Sequence, residues 1–257
     1  MSIVACVKVY DGIVLGADSM TQISGPIEGQ TQFVKAYSNA RKLFRIGDLP
    51  VGVLTHGLGN IGTRSIESFL YEFSREVRKD SPVDSIAGQL LGFIRGHYEQ
   101  QFGQLPIDQR PIIGFYLAGY SPGQPLATER EFILPRHDAP MIPRNDDDFG
   151  ASWRGVGLPF RRLFFGVDPE IYDIMHANGV SPEVIERVRE AARRLAAPVA
   201  FSGMPVQDAI GYCKFILETT INQALYEIGV PSCGGPLQLA IITPRGFQWI
   251  SELVYSL

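Results

Sequence analysis

The chain opens on an alternating stretch. Ile3, Ala5, Val7 and Val9 interleave with Val4, Cys6, Lys8 and Tyr10, so both faces are mostly apolar at first. That pattern predicts a central strand covered on both sides. Asp11-Gly12 is a hairpin turn signal, and residues 13–17 are the return strand, running into Asp18. Residues 20–40 are mostly polar, with glycines at 25 and 29, and read as a loop. Residues 42–46 and 51–55 form a second hairpin around Gly47-Asp48-Leu49-Pro50. Ile66, Phe69, Leu70, Phe73 and Val77 then keep the rhythm of one buried helix face. Ser81-Pro82 opens a second helix as N-cap and first-turn proline, with Ile86, Leu90, Phe93 and Ile94 inward.

Strands follow near 112–118, 131–134 and 151–154. A helix from Ser181-Pro182 carries Val184, Val188, Ala192 and Leu195 on one side. A long helix over 205–228 ends at Gly229, and strands over 237–243 and 247–250 close the chain. The order is strands, two helices, strands, helices, strands. It predicts an α+β fold, two sheets between helix layers, in a single domain over residues 1–257.

Composition narrows the function. The chain has 257 residues, 45% hydrophobic and 19% charged, ordinary for a globular protein. A net charge of −4 offers no attraction to nucleic acid or anionic lipid. Cys6, Cys213 and Cys233 are too few and too scattered for a disulfide framework and suit a reducing compartment. Zinc-ligand spacings are absent, and Asp146-Asp147-Asp148 reads as a solvated acidic loop rather than a cation site. No metal or cofactor is expected. No apolar run approaches the roughly 20 residues that span a bilayer, and no signal peptide is evident. The expected location is the cytoplasm.

One motif points elsewhere. Gly57-Leu58-Gly59-Asn60-Ile61-Gly62 matches the dinucleotide-binding GxGxxG and lies between a strand and a helix. The fingerprint needs a second parallel strand after that helix, and the next segment, 83–98, is helical by period. The glycines then serve a tight strand-to-helix turn. No GxSxG elbow is present, and His56, His97, His137 and His176 have no companion motif. His56 reads as a packing residue.

Ser2 carries the remaining chemistry. Methionine before a small residue is normally trimmed, which leaves a hydroxyl and a free α-amine on one residue. That amine titrates near pH 7.7–8.0 in unperturbed peptides, about where a general base for the adjacent hydroxyl is useful. Ser2 alone is equally an ordinary second residue.

Further residues supply the context. The stretch Ser2-Ile3-Val4-Ala5, with Asp11-Gly12-Ile13-Val14-Leu15-Gly16-Ala17-Asp18-Ser19, resembles the first hairpin of proteasome β subunits and their bacterial relatives, the N-terminal-nucleophile (Ntn) hydrolases. Ala40-Arg41-Lys42-Leu43-Phe44-Arg45-Ile46 resembles the family's third strand. Val53-Leu54-Thr55-His56-Gly57-Leu58 resembles the strand and turn that stabilise the oxyanion. Gly155-Val156-Gly157 resembles the Gly-Ser-Gly segment before the third helix, residues 204–211 the start of the fourth helix, and Ser232-Cys233-Gly234-Gly235 the Ser-Gly-Gly turn.

The resemblance implies a four-layer αββα sandwich with two mainly antiparallel sheets. It implies Ser2 as nucleophile, Asp18 and Lys42 as its ionic partners, Gly57 as oxyanion donor, and Thr55 in a specificity pocket. Lys42, fixed by Asp18, would favour the alkoxide and lower the amine's pKa. The expected activity is peptide-bond hydrolysis through an acyl-enzyme, on peptides or unfolded protein. Self-assembly into a homo-oligomeric ring or spiral is implied, with an ATP-dependent unfoldase as a further partner.

Three departures qualify this. Val156 replaces the supporting serine, Val230 or Pro231 the supporting aspartate, and Cys233 the serine of the turn. Ser232 and Glu227 are the nearest stand-ins. Residues 161–203 exceed the family's usual length there and are expected to form a helical insertion. The departures keep two alternatives open: an inactive shell subunit and a small-molecule Ntn amidase.

Overall fold

The computed structural model describes residues 2–27 and 30–254. Strands β1 (Ile3–Val9) and β2 (Gly12–Ala17) form the opening hairpin, with Val4 opposite Ala17 and Val9 opposite Gly12. Both are buried along their whole length, as apolar residues on both faces require. Strand β11 (Gly150–Gly155) flanks β1. On the other side β2 pairs with β12 (Gln238–Thr243), and β12 with β13 (Gly246–Ser251), all antiparallel. A second antiparallel sheet runs in the order β10 (Thr128–Leu134), β9 (Ile113–Gly119), β6 (Val51–Gly57), β5 (Leu43–Arg45).

The period-two alternation of β1 divides its side chains between two cores. Ile3, Ala5 and Val7 pack with Cys213, Ile216 and Leu217 of the long helix α6 (Val206–Tyr226). Val4 and Cys6 share a cluster with Leu54, Tyr116 and Ala118, which joins the two sheets. The outer side of the second sheet, Val51 and Val53 among it, packs on α1 (Ile66–Glu76) and α2 (Val83–Phe102) through Phe69, Phe73, Ile86, Leu90 and Ile94. Each of these large side chains contributes about 1.5–3 kcal/mol by leaving water.

Two local expectations, the loop at 20–40 and the cap at Ser81, are corrected. Residues 20–40 are not a loop: β3 (Thr21–Ile27) and β4 (Gln30–Tyr37) pair antiparallel as a hairpin of their own. A hairpin that joins neither sheet has no core-facing pattern to betray it. The N-cap of α2 is Pro82, not Ser81, and the N–H of Val83 donates to Ser121 Oγ at 3.0 Å. Between β6 and α1 the glycine-rich stretch makes a small hairpin of β7 (Asn60–Ile61) and β8 (Arg64–Ser65), with Gly62 at φ 61°. This is a turn rather than a phosphate-binding helix entry. The 158–193 region holds three helices, α3 (Leu158–Phe165), α4 (Glu170–Ala177) and α5 (Pro182–Arg193). Of the apolar residues expected on one side of this last helix, Val184 and Val188 are exposed, as is Leu195 just past its end, while Ala192 is buried, together with Ile185.

Among the described residues no helix is long and apolar enough to cross a membrane. Asp146 is engaged by the protein itself: its carboxylate meets Thr128 Oγ1 and Arg130, and its carbonyl takes the ammonium of buried Lys8 at 2.7 Å.

Candidate active site

The hairpin and the second sheet bring Asp18 and Lys42 together. Asp18 follows β2 directly and is fully buried; Lys42 precedes β5 and is 6% exposed. Lys42 Nζ lies 2.7 Å from Asp18 Oδ1 and also donates to the carbonyl of Met20. Burial pushes the lysine below its usual 10.5, and the neighbouring carboxylate opposes that shift. Asp18 is held by backbone as well. Its Oδ1 accepts the N–H of Ile3 at 3.0 Å, and its Oδ2 accepts those of Met20 at 3.2 Å and Gly234 at 3.0 Å. One carboxylate therefore ties the chain start, the end of β2, the 232–235 turn and Lys42 into a single cluster.

Ser2 is buried at the edge of this cluster. Its carbonyl accepts the N–H of Val156 at 2.7 Å, and the N–H of the next residue is the one Asp18 holds. Gly155 lies directly over that carbonyl at φ 84°, where an added Cβ would sit 1.9 Å from the Ser2 oxygen. The β1–β11 edge thus grips the chain start by main-chain contacts, which explains how valine can stand at 156. Met1 lies outside the described residues.

A cleft of about 230 Å³ opens here, bordered by Ser2, Met20, Lys42, Thr55, His56 and Gly57. All four residues singled out from the sequence belong to this neighbourhood: Ser2, Lys42 and Gly57 on the wall, Asp18 beneath Lys42. Gly57 ends β6 at φ 88°, and a Cβ there would meet the Ile112 carbonyl at 2.3 Å. Only glycine fits that combination. His56 packs against Gly114, where a Cβ would be 2.1 Å from its Nε2. Burial, with Arg154 adding to it, lowers its pKa to about 4, so at neutral pH it is an uncharged wall.

Sequence reasoning missed Gln238. Its amide oxygen accepts the N–H of Lys42 at 3.1 Å and of Leu43 at 3.3 Å. Its amide nitrogen donates to the carbonyls of Asp18 at 3.2 Å and Ala40 at 3.1 Å. This buried side chain bridges the strands that present Asp18 and Lys42. A single glutamine inside the apolar run 237–242 was the available signal.

The suggested stand-ins divide. Ser232 is buried, and its hydroxyl has no hydrogen-bond partner among the described residues. Cys233 is buried beside it, its thiol pushed up to about 11 by burial and by Asp18. Glu227 is exposed at the end of α6, which removes it as a substitute for the family's aspartate.

No protein-family model and no curated protein sequence matches the chain. Solved structures do. Anbu (ancestral beta-subunit) from Yersinia bercovieri aligns over 97% of this chain and 87% of that one, with a TM-score of 0.56 and 14% identity. The fold is proteasome-like. Anbu from Hyphomicrobium sp. strain MC1 aligns over 97% and 85%, at a TM-score of 0.57 and 14% identity. The Pseudomonas aeruginosa Anbu, described as a helical assembly, covers 97% and 87% at 0.53 and 15%. At such identities the likeness to Anbu is one of fold, and the chemistry has to be argued from the residues in the cleft.

Proposed function

We propose that this chain is an Ntn peptidase whose nucleophile is Ser2, exposed by loss of Met1. The observation that carries the reading is the Asp18 carboxylate, which holds the N–H of Ile3 and the ammonium of Lys42 on one oxygen. A buried cation fixed beside the chain start has an immediate use there. Its charge favours ionisation of the Ser2 hydroxyl and lowers the pKa of the neighbouring amine.

In this reading the Ser2 Oγ attacks a peptide carbonyl and its proton passes to the α-amine. The tetrahedral oxyanion is met by the N–H of Gly57, an interaction whose loss typically costs about 10²–10³ in rate. Collapse of the intermediate breaks the C–N bond, the amine returns the proton to the leaving group, and an ester on Ser2 remains. Water, deprotonated by the same amine, then cleaves that ester and restores the hydroxyl.

The reading extends to the architecture: a four-layer αββα order within one domain over residues 1–257, with 161–203 as a helical insertion. The helical assembly of the P. aeruginosa Anbu supports a homo-oligomer here too. A second reading, a shell subunit without activity, draws on Val156 and Cys233 standing where the family places supporting serines.

Turnover separates the two. Purified protein incubated with a fluorogenic peptide library should release fluorophore, and Ser2→Ala should not. Equal signals from the two proteins, or none from either across the library, would leave the shell reading in place.

A further inference from the structure

We infer that α5 is a contact between two copies of this chain, laid antiparallel, helix against helix. The helix and the turn after it carry an apolar row that the described residues leave largely open: Val184, Val188 and, just past the helix end, Leu195 are 43%, 38% and 62% exposed. Exposed Ala191 continues the row. Spacings of four and three keep Val184, Val188 and Ala191 on one side of the helix, and Leu195 follows in the turn beyond Arg193. The inner side is different, with Ile185 and Ala192 buried and Arg189 lying over the Tyr172 ring of α4 at 4.9 Å. A continuous apolar row on a solvent face marks a site of association.

The charges beside the row identify the occupant. Glu183, Arg187, Glu190 and Arg194 flank it at spacings of four, three and four, all exposed. None of them has an ion-pair partner among the described residues. On another side of the helix, Glu186 is already engaged by Arg189 at 3.0 Å and Arg193 at 3.5 Å. The free series reads Glu-Arg-Glu-Arg, and backward it reads Arg-Glu-Arg-Glu. A two-fold antiparallel pairing therefore sets Glu183 against the partner's Arg194 and Arg187 against the partner's Glu190, each twice. Nearly the same register sets Val184 against the partner's Leu195 and Val188 against the partner's Ala191. A parallel two-fold pair would not bring this flank against its own copy, because its axis runs along the helices and turns the flank to the other side. The pattern is self-complementary in one orientation, as an isologous two-fold contact requires.

The test is the mass of the full chain in solution, by light scattering and sedimentation, with circular dichroism to confirm folding. The wild type should have an even number of subunits. Val188→Asp, and separately Leu195→Asp, should halve that number. Arg194→Glu should weaken association by about tenfold or more, and adding Glu183→Arg to it should restore wild-type association, because the swapped pair is again complementary. A monomeric wild type, apolar-row variants with unchanged mass, or a double variant as weak as Arg194→Glu alone would overturn the inference. The mass readout is independent of peptidase activity, so failure of that reading leaves this one standing.

Discussion

Asp18 and Lys42 are bound unequally to their surroundings. Asp18 has three backbone N–H donors, from Ile3, Met20 and Gly234, besides the ammonium at 2.7 Å. Lys42 has the carboxylate and a single carbonyl, that of Met20. The two side chains are 0% and 8% exposed, so Asp18 has no route to water and Lys42 has only the cleft it borders.

The asymmetry predicts unequal mutants. Asp18→Asn leaves an unpaired buried cation and is expected to cost about 3–5 kcal/mol of stability. Lys42→Met leaves a carboxylate that still accepts three backbone N–H groups. It should cost at least about 1 kcal/mol less. Urea unfolding of both variants checks the order, and equal losses would contradict it. Both should be inactive toward peptides.

Gln238 is expected to act on activity only through position. Gln238→Leu removes four hydrogen bonds and leaves the N–H groups of Lys42 and Leu43 without the acceptor they now use. The expected loss is about 2–4 kcal/mol of stability, read as a fall in the urea midpoint with unchanged slope. Gln238→Glu keeps the acceptor but not the donor and should lie between the two.

His56 makes stability depend on acid. Its folded value of about 4 is below its usual 6.5, so between those values the unfolded chain binds the extra proton. Stability is full above pH 6.5 and falls as pH drops toward 4. At pH 4.5 the contribution lost is about 2–3 kcal/mol. The difference in unfolding free energy between wild type and His56→Gln, measured at pH 7 and pH 4.5, should change by that amount, and a constant difference would refute it.

Glycine is demanded at two positions of the site. Gly57→Ala would place a methyl 2.3 Å from the Ile112 carbonyl at φ 88°, and Gly155→Ala one 1.9 Å from the Ser2 carbonyl at φ 84°. Each should cost more than about 1 kcal/mol. Gly155→Ala should also displace Ser2 and lower turnover out of proportion to stability. Thermal melting beside initial rates resolves the two effects.

Most of the framework was legible because burial writes a period into sequence. The largely apolar β1 and the i, i+3, i+4 rhythm of α1 needed no further information. The β3–β4 hairpin was not legible, because strands paired only to each other need no core-facing side. The outward row of α5 marks a second limit: periodicity reports that a face is apolar, not whether its own chain covers it. In the site, Asp18 and Lys42 could be named only through the resemblance of their segments to proteasome β subunits. The grip of Gly155 and Val156 on Ser2 is made by backbone, and backbone contacts leave little trace in residue type.

Intact mass after exposure to a peptide epoxyketone tests the Ser2 proposal most directly. Such a probe closes a ring only where a hydroxyl and a free amine share one residue: the Oγ adds to the ketone and the amine opens the epoxide. The expected result is a chain lighter by one methionine that gains one whole inhibitor, mapped to the peptide beginning at Ser2, with no gain in Ser2→Ala. A chain that keeps Met1 and gains no mass, with Ser2→Ala indistinguishable from wild type, would contradict the proposal.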